Sequence, residues 1–173
     1  IAIKKPGELT TKIIEELVDD LVTVSDDEIA HAIFLLLERA KTLVEGAGAV
    51  GLAAILSGKV DVEGKDVVVV ISGGNMDITR LVKILNRELI IKKRLVKLYV
   101  SMPDIPGALS RLLSIIAKTR INVVDIGIEK YSPYMKPSEA LAEIVVEVPI
   151  EETLEKLISE VQKTGYHIEI GEV

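Results

Sequence analysis

EGAGAVGLAAILSG, residues 45–58, and DVVVVISGGN, residues 66–75, decide how this chain is read. The second stretch carries an unbroken β-branched run, Val67 to Ile71, with no polar alternation. Such a run fits a strand covered on both faces, as in a parallel α/β sheet. Ligands of these sheets gather at the carboxyl ends of the strands, where Ser72, Gly73, Gly74 and Asn75 fall. The first stretch is a costly helix, because an interior glycine loses about 1 kcal/mol relative to alanine. Gly46, Gly48 and Gly51 nevertheless stand close together in it. A close approach to this backbone explains the choice. The spacing leaves two partners open: tight packing against the sheet, or a ligand facing the helix start with Glu45 in reach. The glycine spacing is not that of a dinucleotide-binding fingerprint, and no strand leads directly into it.

Upstream, Pro6-Gly7 stops an extended opening segment, Ile1 to Lys5. Leu9, Ile13, Ile14, Leu17 and Val18 recur at helical spacing and predict an amphipathic helix over residues 8–18. Its acidic side, Glu15, Glu16, Asp19 and Asp20, reads as a solvated face. Leu21 to Val24 reads as a short strand. Ser25-Asp26-Asp27-Glu28 then has the form of a capping box, in which hydroxyl and carboxylate each satisfy an orphan amide at a helix start. A second helix buries Ile29, Ala32, Ile33, Leu36, Leu37 and Ala40 and ends near Thr42. His31 lies off that face and reads as a surface residue. The chain opens on Ile1 without a methionine, which suggests a processed or truncated product.

Downstream, Ile78, Leu81, Val82 and Leu85 predict a helix over residues 77–88, and a domain boundary is placed between residues 92 and 93. Beyond it the pattern changes to strict alternation. Val96, Leu98, Val100 and Met102 alternate with Lys97, Tyr99 and Ser101, as in a half-buried strand. Pro103-Asp104-Ile105-Pro106-Gly107 opens a helix with Leu109, Leu112, Leu113 and Ile116 inward. Strands over residues 121–131 and 139–148, a helix around Leu154 to Val161 and a last strand through Tyr166, Ile168 and Ile170 complete the order βαββαβ. That is the ferredoxin-like arrangement, with two helices on one face of a four-stranded antiparallel sheet.

Composition narrows the function classes. The chain of 173 residues is 49% hydrophobic, enough for one large or two small cores. A net charge of −6 and 3% aromatic residues give nucleic acid neither a basic footprint nor stacking platforms. No apolar run is long enough to span a bilayer. With no cysteine there is no thiolate zinc site, which is compatible with a reducing cytoplasm. The two histidines, His31 and His167, are too few and too far apart to supply a histidine metal site or a hydrolase triad. No metal, nucleic acid or membrane partner is therefore expected.

EGAGAVGLAAILSG followed by VVVVISGGNMD resembles the closing part of the catalytic domain of threonine dehydratases and serine racemases, which are fold type II enzymes dependent on pyridoxal phosphate. PGELT and the helix after TVSDDEI resemble the same family. The βαββαβ unit with DIPGALSRLLSIIAKTRINVVDI is similar to an ACT domain, a regulatory amino-acid-binding module. In this order the pair resembles threonine dehydratases with a single C-terminal ACT domain. The resemblance implies part of a parallel-sheet catalytic domain over residues 1–92 and an ACT domain over residues 93–173.

It also implies roles. Ser72 would offer its hydroxyl to the pyridine nitrogen of pyridoxal phosphate, where a neutral partner makes the ring a weaker electron sink than an acidic one would. Gly73, Gly74 and Asn75 would shape the turn, and Glu45 and Gly46 would border the ring. The reaction of the intact enzyme would convert L-threonine to 2-oxobutanoate and ammonia. The family's Schiff-base lysine motif and phosphate-holding glycine loop are not found in this sequence, so no catalytic residue is assigned and the chain alone is expected to be inactive. In the ACT half, an amino-acid effector would meet Asp104, Ile105, Pro106, Gly107, Ala108 and Leu109, together with Asn122, Val123 and Val124, at an interface between two modules. Homo-oligomerisation through the ACT domains is the corresponding expectation. The alternative is a stand-alone, non-catalytic amino-acid-sensing module whose first half serves as a docking scaffold.

Overall fold

The computed structural model describes residues 4–133 and 135–171. The chain divides into two compact units, one ending at Glu88 and the other beginning at Leu89. Ile1, Ala2 and Ile3 of the expected opening segment lie outside the described residues.

The first unit is helical. Helix α1 covers Glu8–Leu17, α2 Asp26–Ala40 and α3 Gly46–Leu56; α4 covers Ile78–Ile91. The start of α2 is the capping box the sequence predicts: the Glu28 amide donates to Ser25 Oγ over 3.3 Å, and the Ser25 amide donates to Glu28 Oε2 over 2.6 Å. Lys59 Nζ lies 2.8 Å from the same carboxylate oxygen and donates to the carbonyl of Thr23. Asp77 starts α4 by accepting from the Arg80 amide over 2.8 Å. The core of this unit joins Ala32, Ile33 and Leu36 of α2 to Val44 and to Ala49 and Ala53 of α3, with Ile71, Leu81 and Ile84 packed against them.

Three expectations for this unit are corrected. Val67 to Ile71 forms no strand among the described residues: Val69 and Ile71 turn inward, while Val68 and Val70 are 92% and 80% exposed. A strand exists through its ladder partners, and no described strand adjoins this run. Leu21 to Val24 is likewise not a strand. Helix α1 ends at Leu17, one residue before the predicted end, and buries none of its residues, so Leu9, Ile13, Ile14 and Leu17 face solvent. The 3.6-residue period reports which side of a helix is apolar, not whether anything covers it.

The second unit has the predicted order. Strand β1 covers Leu95–Pro103, α5 Ala108–Lys118, β2 Asn122–Glu129, β3 Glu139–Glu147, α6 Glu151–Gln162 and β4 His167–Gly171. The sheet runs β2-β3-β1-β4, with every neighbouring pair antiparallel. Strict alternation in β1 and β3 sends Val96, Leu98, Val100 and Met102, and Ala140, Ala142, Ile144 and Val146, to one face. There they meet Leu112 and Ile116 of α5 and Leu154, Leu157 and Val161 of α6 in one continuous core. β2 is an edge strand, and a register shift lies between Val123 and Asp125.

Candidate functional site

In the first unit the glycines of α3 decide between the two partners left open above. A Cβ on Gly48 would fall 1.6 Å from the Ser72 carbonyl oxygen, one on Gly51 would lie 3.0 Å from a Val69 methyl, and one on Gly46 would lie 3.6 Å from Ile29. Gly48 and Gly51 are therefore required because the 69–73 segment presses against the helix, whereas a Cβ on Gly46 would make only an ordinary contact with α2. Gly73, at φ +73°, lies beneath the Glu45 side chain, and its carbonyl accepts the Glu45 amide over 3.0 Å. The helix start and the SGGN turn form one backbone-on-backbone joint.

Beside this joint opens a cleft of about 480 Å³. Glu45, Gly46 and Asn75 line it together with Asp26 and Asp27 of α2 and Arg80, Lys83 and Arg87 of α4. Ser72, Gly73 and Gly74 lie on the adjoining turn rather than in the lining. The Ser72 hydroxyl is exposed and has no hydrogen-bond partner among the described residues. Glu45, Gly46 and Asn75 thus share one wall of the cleft, and the Ser72 hydroxyl lies on the turn that adjoins it.

His31 differs from its sequence reading. It is half-exposed, yet its Nδ1 lies 2.8 Å from Oε2 of Glu88, whose side chain is only 2% exposed. Arg87 stands 3.7 Å from the other oxygen of Glu88 and pairs with Asp27 at 3.0 Å. Burying a carboxylate without partners is costly, so His31 serves as the partner that lets Glu88 enter the α2–α4 contact. The two residues are 57 positions apart, and no local pattern announces the pairing.

In the second unit a cleft of about 170 Å³ lies at the Pro103 end of β1. Asp104, Ile105, Ala108 and Leu109 line it, as the loop reading expects. Pro106 and Gly107 complete the turn, with Gly107 at φ +88° and no side-chain cap on α5. The structure adds Met102, Ile128, Lys130 and Ala140 to the lining. Lys130 Nζ contacts Asp104 Oδ1 at 2.6 Å, and this hydrogen bond to the carboxylate raises the Lys130 ammonium above its ordinary pKa. Asn122, Val123 and Val124 are not brought to this cleft within the chain. Asn122 pairs across to Glu147, which itself faces Leu95, at the other end of the sheet. At about 3.3 Å per residue the two ends of β1 are roughly 25 Å apart. The Asn122 side chain donates to Glu147 Oε2 over 2.9 Å. Lys130 escaped the sequence reading because its partner lies 26 residues away across a sheet.

The first unit thus presents a joint between the SGGN turn and the start of α3, and the second a βαββαβ module. Residues 1–73 match the family described as pyridoxal-phosphate dependent enzyme. Over 98% of its length the chain is 41% identical to L-threonine ammonia-lyase of Thermotoga maritima, and a like match of 43% joins it to L-threonine ammonia-lyase of Geobacter sulfurreducens. Catabolic L-threonine dehydratase TdcB of Escherichia coli is 48% identical over 84 residues, 47% of this chain and 26% of that protein. The resemblance to threonine dehydratases thus holds along the chain, which spans 42% of the length of the first two relatives. Among solved structures, the ACT domain of GTP pyrophosphokinase from Chlorobium tepidum aligns with 44% of this chain and 96% of its own, at a TM-score of 0.37 and 18% identity. Prephenate dehydratase from Streptococcus mutans aligns over 44% of this chain and 40% of its own, at a TM-score of 0.37 and 27% identity.

Proposed function

We propose that this chain is the C-terminal region of a pyridoxal-phosphate-dependent threonine ammonia-lyase that converts L-threonine to 2-oxobutanoate and ammonia. Residues 1–92 belong to its catalytic domain and residues 93–173 are an ACT domain that binds an amino-acid effector and pairs with its like. The observation that carries this reading is the similarity to the Thermotoga and Geobacter enzymes, which runs across both units. When bound, pyridoxal phosphate supplies the electron sink for the elimination. The contribution of this chain is one wall of the site. Ser72 meets the ring nitrogen with a neutral hydroxyl, and the Gly73–Glu45 joint holds that hydroxyl at the head of α3. Glu45, Gly46 and Asn75 border the ring.

The test is made on the full-length product of the gene that encodes this chain. With pyridoxal phosphate it forms 2-oxobutanoate from L-threonine, whereas the 173-residue chain alone forms none. Ser72→Asp in the full-length protein lowers turnover by about tenfold or more, about 1.4 kcal/mol of transition-state stabilisation, because a carboxylate would keep the ring nitrogen protonated. A full-length product without this activity sinks the reading; full activity in Ser72→Asp sinks only the role of Ser72.

A further inference from the structure

Among the described residues Glu88 is the only buried carboxylate. Its Oε2 lies 2.8 Å from Nδ1 of His31, whose side chain still reaches solvent. Arg87 stands 3.7 Å from the other oxygen and is itself held by Asp27 at 3.0 Å. The charged groups on this contact are thus His31 and Asp27 from α2 and Arg87 from α4. Helix α3 holds no titratable side chain. Asp26, Glu45, Asp77, Arg80 and Lys83 line the cleft that Asp27 and Arg87 share, and no ion pair joins them to Glu88. We propose that His31 and Glu88 form a proton-dependent clasp between α2 and α4, closed while the imidazole carries its second proton and loosened when that proton leaves.

Removing one partner of a buried ion pair is strongly destabilising, because it leaves the other charge uncompensated. Loss of the imidazolium proton does the same without replacing an atom. Histidine is the side chain whose charge ordinarily changes between about pH 5 and 8. His31 exchanges its proton with solvent, while Glu88 stays enclosed. A neutral imidazole still donates one hydrogen bond, so the contact weakens without vanishing, and Arg87 does not replace the lost cation because Asp27 shares its guanidinium. The charge pairing is therefore present in acid and is lost as pH rises. Its consequence falls on the cleft of about 480 Å³, one wall of which comes from Ile29 and Ile33 of α2 and another from Arg80 and Ile84 of α4. The clasp governs how firmly those two walls are held together.

The experiment is urea unfolding of the 173-residue chain carrying His167→Gln, so that His31 is its only imidazole. Backbone NMR resonances of α2 and α4 follow the transition in this background and with His31→Gln, Glu88→Gln and both, at about pH 5 and about pH 8. The coupling between the two substitutions is about tenfold or more in the unfolding equilibrium at the lower pH and about twofold or less at the higher. A coupling of the same size at both pH values overturns the proton dependence, and no coupling at either overturns the clasp itself. Amide exchange of the unsubstituted chain gives the answer even where a variant does not fold. Protection of Ile84 to Glu88, corrected for the intrinsic exchange rate, falls about tenfold from about pH 5 to about pH 8, while that of Ala142 to Val146 in the second unit is unchanged. Protection of Ile84 to Glu88 that stays constant across this range overturns the proposal.

Discussion

Gly48 shows how a single hydrogen atom can decide a contact between two segments. Its missing Cβ is the space into which the Ser72 carbonyl fits, at 1.6 Å from where that carbon would stand. Backbone cannot swing away as the end of a long side chain can, so Gly48→Ala must push the SGGN turn off α3. Overpacking costs typically about 1–3 kcal/mol and sometimes more, and Gly48→Ala is expected at or above the top of that range by thermal unfolding. Gly74→Ala is the matched comparison, because a Cβ there meets only the Leu43 carbonyl at 3.9 Å; it is expected to leave stability within about 0.5 kcal/mol. Equal effects of the two substitutions would refute the packing role of Gly48. The unusual cost of glycine in a helix was visible in residues 45–58, but its cause was not. Only the fold shows that Ser72 and Val69, rather than a ligand, occupy the space. Glu88 and His31 make the converse case: each looks ordinary in sequence, and their contact exists only once α2 and α4 pack.

At the scale of elements, what was legible depended on how local the determinants are. The alternation in β1 and β3 and the helical spacing in α5 and α6 carried the βαββαβ order, because each element there finds its partner within the same unit. The capping box of α2 was legible because its determinants lie three residues apart. Val67 to Ile71 was misjudged since a period-free apolar run does not say which strands pair with it, and no described strand does. The α2 cap has a pH signature. Its hydrogen bonds to Lys59 and to the Ser25 amide hold the Glu28 carboxyl below its ordinary value of 4.5. A depressed folded-state value contributes stability above the unfolded value, and this stability is lost as pH falls through the folded one. The parent chain is therefore expected to unfold above Glu28→Gln at neutral pH, with the gap closing as pH is lowered below 4.5. Thermal unfolding of both proteins across that range checks it, and a gap that persists in acid would refute the cap as its source.

For the whole molecule, the two units differ in how much apolar surface they bury on their own. Among the described residues the core of the second unit gathers 18 buried side chains and that of the first gathers six. The first unit also leaves Val68, Val70, Leu9 and Leu17 in solvent. Burial is the main favourable term in folding, worth about 25 cal/mol per Å² of apolar surface, so the units should open at different free energies, as local and sub-global opening generally does. Amide hydrogen exchange of the 173-residue chain is expected to show fast exchange for residues 67–71, which hold no ladder bonds, and slow exchange for Ala142 to Val146 in the centre of the antiparallel sheet. Urea unfolding should show the first unit lost before the second. The proposed function adds a sharper expectation. If residues 1–92 complete their fold only within a larger catalytic domain, residues 67–71 gain protection in the full-length enzyme, because a neighbouring strand supplies the missing ladder, while Ala142 to Val146 exchange as before. Equal, fast exchange of residues 67–71 in both proteins would show that the apolar run is not a strand of that domain, and would break the link between the exposed Val68 and Val70 and the assembly of the active site.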